Sequence, residues 1–153
     1  MAEKSVIVSE ANLNDVEWIA QSQATMAMET ENVELIPEHV LKGVNYIFQN
    51  PMRGFYLIAR SDRQTPLGCL LILKEWSDWR NGDVWWIHSV YVLPEYRCLG
   101  IFRQMFEYVE KLARSSGVRG LRLYVDKTNR QAQKVYEQLG MNHDHYVLFE
   151  KMF

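Results

Sequence analysis

WWIHSVYVLPEYRCLGIFRQ, Trp85 to Gln104, decides how the rest of the chain is read. Its first half is apolar and β-branched, with Ile87, Val90, Val92 and Leu93 set among aromatic residues, which predicts a buried strand. Pro94 ends that strand, since proline has no N–H to give a ladder. Arg97 and Gly100 fall in a short turn, after which Ile101, Met105, Tyr108, Val109 and Leu112 recur at helical spacing. A strand that runs through a tight turn into a helix start is a general anion site. The first helical N–H groups have no acceptor within the helix, and the helix dipole favours negative charge there. Phosphate groups suit such a place, so the functional centre is expected here.

Upstream, Ser5 to Ser9 reads as a first strand. Asn12, Asn14 and Asp15 offer caps for a helix carrying Val16, Ile19, Ala20, Gln23 and Ala27. The acidic stretch Glu29 to Glu34 shows no period and reads as a loop. Pro37 starts a second helix through Val40, Leu41, Val44, Ile47 and Phe48, ending before Pro51. FYLIA after Gly54 and LGCLLIL after Pro66 read as two strands of a hairpin joined by a polar turn. EWSDWRNGDVWW follows, with Asn81-Gly82 as its turn signal. Downstream of the central helix, Gly117 and Gly120 mark its end, and Leu121 to Val125 reads as a strand. Asn129 opens a helix through Ala132, Val135, Tyr136 and Leu139 that Gly140 stops, and HYVLFEKMF reads as a last strand. The order β-α-α-β-β-β-α-β-α-β predicts an α/β (α+β mixed) fold. Its central sheet is mixed, of about six strands, with helices on both faces.

Composition narrows the function. A length of 153 residues fits one domain, residues 1–153, with a real core. A formal charge of −2 supplies no basic face for nucleic acid. Cys69 and Cys98 show no metal-ligand spacing, so no metal is expected. MAEKSVIVSE lacks an apolar signal core, and no stretch approaches bilayer length, which predicts a cytoplasmic protein without membrane contact.

Two motifs carry a family resemblance. VYVLPEYRCLGIF, Val90 to Phe102, resembles the strand ending V-x-P-x-Y/W-R, followed by R-x-x-G-x-G/A, of the GNAT superfamily of acyl-CoA-dependent N-acetyltransferases. NRQAQKVYEQLGM, Asn129 to Met141, resembles that family's N-x-x-A-x-x-x-Y-x-x-x-G-F. The spacing from Arg97 to Tyr136 is similar to that in spermidine/spermine-type acetyltransferases. Two positions depart: Cys98 stands where the family usually has glycine, and Phe102 where it has glycine or alanine. Backbone donors survive both changes, but a bulky Phe102 must point into the core.

The resemblance implies a GNAT-like sheet splayed in the middle and acetyl-CoA as cofactor. The pyrophosphate would lie on the turn Arg97, Cys98, Leu99, Gly100, Ile101, Phe102 and Arg103, whose plainer reading is a solvated strand-to-helix turn. Val90, Tyr91 and Val92 would pair with pantetheine through their backbones, an amide near Val90 holding the oxyanion. An ordinary core strand pair is the alternative. Asn129 and Tyr136 belong to the second motif, with Tyr136 protonating the departing thiolate or else packing in the core. His88 is either the general base or a hydrogen-bonded core histidine, with Asp83, Glu75 and Glu29 in reserve. Strand alternation puts Trp86, His88 and Val90 on one face unless a bulge intervenes. Glu29 and Trp86 would meet the acceptor, a small-molecule amine, and a solvated acidic loop is the bland reading of Glu29, Glu31 and Glu34. Trp76, Trp79, Trp85 and Trp86 would form an acceptor wall, a subunit contact or core, and a homodimer is allowed. The rival function is a non-catalytic acyl-CoA-binding or sensing module.

Overall fold

In the computed structural model, which describes residues 5–153, the stretch around Ile87 is a strand inside a five-stranded sheet. The sheet order is β1 (Val6–Glu10), β2 (Gly54–Ser61), β3 (Pro66–Ser77), β4 (Gly82–Val92) and β5 (Leu121–Arg122). Strands β1 to β4 pair antiparallel, whereas β4 and β5 are parallel. Helices α1 (Val16–Glu31) and α2 (Pro37–Gln49) precede β2, α3 (Ile101–Ser115) joins β4 to β5, and α4 (Arg130–Gln138) follows. The chain divides into two compact units, one ending at Arg122 and the other spanning Leu123–Phe153. Residues 1–4, the start of the stretch read as lacking a signal core, lie outside the described residues. Among the described residues no helix is long and apolar enough to cross a membrane.

In the first unit helices cover both faces of the sheet, as predicted. On one face Tyr56, Cys69, Leu71 and Tyr91 are buried with Val16, Ile19 and Ala20 of α1 and Val44 and Ile47 of α2. Gly68 alternates with Cys69 and so faces the other way. The Met105 methyl of α3 lies 3.5 Å from where a β-carbon on Gly68 would stand, which puts α3 on the opposite face. That β-carbon would also lie 2.8 Å from the Tyr91 carbonyl oxygen, so the approach of β3 to β4 here requires glycine. Ile19, Leu57, Ile58, Leu70, Ile72, Met105 and Val109 are fully buried. Each such side chain stabilises the fold by roughly 1.5–3 kcal/mol relative to exposure.

The 3₁₀ turn Leu13–Asp15 that leads into α1 is fixed twice. Asn12 and Asp15 form a reciprocal capping box, with the Asn12 N–H donating to the Asp15 carboxylate at 2.8 Å. Asp15, itself buried, also pairs with Arg60 of β2, fastening the helix start to the sheet.

Several boundaries differ from those predicted. Glu29 and Glu31 are helical, not in a loop. Glutamate sustains a helix without an apolar period, and α1 closes only at Asn32, whose φ of 53° is left-handed. There the Val33 N–H returns to the Ala27 carbonyl at 3.3 Å and the Asn32 N–H to Met28 at 3.2 Å. EWSDWRNGDVWW is the end of the β3–β4 hairpin, with Asn81 left-handed at the turn. β5 holds only Leu121–Arg122, short of the expected Val125. The last expected strand, His145 to Phe153, has no ladder, which leaves five strands where about six were expected. An apolar pattern supplies a tendency to extend, but a strand needs a partner.

Candidate active site

Strands β3 and β4 stay in step from Ser77↔Gly82 to Leu71↔His88 and then slip, the next pair being Cys69↔Tyr91. Two steps on β3 are matched by three on β4, a β-bulge absorbed at Ser89 and Val90. Ser89 has φ 55°, in the left-handed region, at a cost of about 1–2 kcal/mol for a non-glycine residue. Gln23 of α1 holds it there: its buried amide donates to the Ser89 carbonyl at 3.1 Å and reaches the Cys69 Sγ at 3.7 Å. A trans peptide sets its carbonyl and N–H in opposite directions. With the Ser89 carbonyl drawn toward α1, the Val90 N–H is turned away from that helix. Among the described residues the β4–β5 ladder stops at Trp86↔Arg122, so beyond it β4 carries no ladder on that side.

The bulge is the exception that the expected alternation allowed for. Trp86 and His88 do share a face, their rings 6.0 Å apart and 28° from parallel. Val90 does not join them. His88 pairs with Leu71 and Tyr91 with Cys69, and Leu71 and Cys69 lie on the α1 side, so Tyr91 takes the third place. Burial lowers the His88 pKa, which favours the neutral imidazole a base requires. It pushes the Cys69 thiol up to about 12, keeping it protonated beside Gln23.

After β4 the chain makes one 3₁₀ turn, Pro94–Tyr96, and then reaches α3 through two left-handed residues, Cys98 (φ 60°) and Gly100 (φ 77°). The first bond within α3 is the Gln104 N–H to the Gly100 carbonyl at 3.1 Å. The amides of Ile101 and Arg103 therefore have no acceptor inside the helix. Arg103 and Leu99 are exposed, Ile101 is core, and half-buried Phe102 sits 6.2 Å from the buried Phe106 ring. Arg97 turns the other way. Its Nε donates to the Val92 carbonyl at 2.8 Å, its Nη2 to Glu29 Oε2 at 2.7 Å, and its guanidinium lies 5.6 Å over the Tyr91 ring. Glu29 and Arg97, expected at opposite ends of the reaction, are thus one brace between α1 and the end of β4.

A second cluster lies farther along β4. Glu75 Oε2 accepts from Trp86 Nε1 at 3.0 Å and from Arg122 Nη1 at 2.9 Å, while Arg122 lies 5.9 Å over the Trp86 ring. The four tryptophans do not form one wall. Trp85 is core, edge-on to Phe55, whereas Trp76 (62% exposed) and Trp79 (88%) stand in solvent at the end of the β3–β4 hairpin.

In the second unit, the Asn129 side chain caps α4 by accepting from the Ala132 N–H at 3.1 Å. Tyr136 sits partly buried in that helix, and burial raises its phenol pKa, so it stays a proton donor at neutral pH.

The model of the Acetyltransferase (GNAT) family matches residues 15–141. The chain belongs to that family. A GNAT-fold crystal structure of a possible acetyltransferase from Clostridium difficile 630 is 35% identical, with a TM-score of 0.89 over 97% of each chain. A protein from Clostridium acetobutylicum solved with acetyl-CoA shares the fold at 18% identity, with a TM-score of 0.75 over 95% of this chain and 96% of that one. The thialysine N-epsilon-acetyltransferase of Bos taurus is 33% identical over 86 residues, 55% of this chain and 50% of the bovine protein. The match thus spans half the length of that curated relative.

Within the GNAT pattern, the two departures now have a physical reading. The place that usually holds glycine is left-handed here, yet it carries Cys98. The backbone path is kept with a strained residue on it. Phe102, the other departure, is in ring contact with Phe106 rather than fully exposed. Two contributors were missed by the sequence reading, Gln23 and Ser89. Gln23 showed only as a polar residue in an apolar helical row, and that placement was its signal. Ser89 gave none.

Proposed function

We propose that residues 1–153 act as one acetyl-CoA-dependent N-acetyltransferase domain that acetylates a primary amine on a small molecule. The observation that carries this is the bulge at Ser89–Val90, which turns the Val90 N–H away from α1, one short turn before the donor-rich start of α3. Backbone amides of Leu99, Gly100, Ile101 and Arg103, with the Arg103 charge, suit a diphosphate. The group supplies an acetyl thioester. The Val90 N–H takes the negative charge that develops on the carbonyl oxygen. His88, held neutral by burial, accepts the proton the attacking amine must lose, directly or through water. Tyr136, by its place in the second motif, gives a proton to the thiolate. The balance closes: a C–N bond forms, a C–S bond breaks, nitrogen gives one proton to His88, sulfur takes one from Tyr136, and both groups are restored by exchange with solvent. Arg97 is assigned to bracing the end of β4 rather than to the phosphates, because its guanidinium is occupied by Glu29 and Val92.

A small-molecule acceptor is supported by the bovine relative, which is named for acting on thialysine. Trp86 and His88, stacked on one face, are the acceptor-side residues of this reading, and the cytoplasm its location. The test is a calorimetric titration with acetyl-CoA followed by a thiol-release assay over polyamines, lysine analogues and aminoglycosides. Saturable binding with release that depends on the acceptor is expected. Binding without release for any amine transfers the chain to the sensing alternative, and no binding ends both.

A further inference from the structure

We infer that Glu75 and Arg122 are positioning residues for His88, a role that rests on His88 being the base, and that they act through the Trp86 ring. Trp86 stands at the centre of a cluster drawn from three neighbouring strands. It pairs with Leu73 of β3 on one side and with Arg122 of β5 on the other. Its indole N–H donates to Glu75 Oε2 at 3.0 Å, and the same oxygen accepts from Arg122 Nη1 at 2.9 Å. The Arg122 guanidinium also lies 5.9 Å over the indole, so the ring is held at its edge and on its face. Against that ring the His88 imidazole stacks, 6.0 Å away and 28° from parallel.

The bulge gives the stack its importance. In an unbroken strand His88 would have a neighbour on each side along its face, at positions 86 and 90. The slip after Leu71↔His88 takes Val90 off that face, and the near neighbour that remains along the strand is Trp86. A base works only when its ring is aimed at the proton it takes, and a displacement of about 1 Å can cost about 10²-fold in rate. The cluster is poorly suited to a mainly structural role. The Arg122 and Glu75 side chains are 32% and 47% exposed, and an ion pair that solvent reaches adds little to folding stability. What their contacts with one indole provide is aim.

Steady-state kinetics of Glu75→Leu and Arg122→Met, run beside His88→Gln on the acceptor with the highest turnover, test this. Each of the two is expected to lower kcat about 10-fold, with the acceptor KM and Tm close to wild type. Glu75→Leu added to His88→Gln is expected to cost nothing further, because both act through one ring. A raised acceptor KM with kcat kept overturns the inference, since Glu75 would then touch the amine directly. A full further loss in the double variant overturns it too. If His88→Gln lowers kcat while Glu75→Leu and Arg122→Met keep it, positioning alone fails. If His88→Gln keeps kcat, the base role fails and the inference falls with it. The His88 ring protons of the unmodified chain, in a ¹H–¹³C spectrum, cover the case of misfolded variants. They are expected to be displaced by the Trp86 ring current, and random-coil positions overturn the inference.

Discussion

Replacing Gln23 with leucine removes the donor that holds the Ser89 carbonyl toward α1 while keeping nearly the same volume. A buried carbonyl left without its partner costs about 1–3 kcal/mol. For a chain of this length that is about 2–4 °C per kcal/mol, a fall in Tm of about 2–12 °C. If the native chain is stable by about 5 kcal/mol, the low end of the usual range, a loss of 3 still leaves about 97% folded. Unfolding alone therefore removes only a few per cent of the activity. The catalytic effect is larger, because the bulge no longer has a reason to keep its left-handed serine, and the Val90 N–H loses its aim. Removing one oxyanion donor outright lowers kcat about 10²–10³-fold, so a re-aimed donor is expected to cost at least about 10-fold, with KM for acetyl-CoA little changed. Ile19→Val is the control. It lies on the same helix and costs about 0.5–1.5 kcal/mol, leaves the Gln23 amide in place, and should keep full kcat. Steady-state kinetics on the best acceptor decide the matter. Wild-type kcat in Gln23→Leu, together with the expected drop in Tm, would refute the link between bulge and chemistry.

Other consequences follow from single contacts. Cys98→Gly should raise stability by about 1 kcal/mol, read from urea midpoints, because glycine adopts the left-handed φ of 60° without strain. Arg60→Met strands the buried Asp15 carboxylate and should cost about 3–5 kcal/mol, and an unchanged midpoint would mean the pair is solvated. Burial lowers the His88 pKa, so the unfolded chain binds that proton more readily. Its stabilising contribution is present above the unfolded pKa of about 6.5 and declines as pH falls through and below it. His88→Gln should flatten that decline and remove the acidic limb of the pH–rate profile, whereas an identical profile hands the base role to another group. Tyr136→Phe should lower kcat far more than the affinity for coenzyme A, and equal turnover would remove the phenol from the mechanism.

The strand, turn and helix from Trp85 onward were legible because each boundary has a local cause. Pro94 cannot extend a ladder, Gly100 takes φ 77°, and the row from Ile101 to Ala113 has the period of a buried helix face. The cap at Asn12 was visible for the same reason. What was not legible depended on partners distant in sequence. The bulge arises from the contact of Gln23 with Ser89, 66 residues apart, and serine carries no preference for the left-handed region. The Glu29–Arg97 pair spans 68 residues and changes the meaning of both residues. The tail was read as a last strand, but no ladder forms there among the described residues, because an apolar pattern alone does not say with which edge a segment pairs.

The most direct measurement is a ¹H–¹⁵N titration of the assigned protein with coenzyme A. Saturable shifts at the Val90 amide and at Leu99, Gly100, Ile101 and Arg103, with His39 and the β1–β2 edge unmoved, are the expected result. Calorimetric binding of coenzyme A that leaves those amides in place would contradict it.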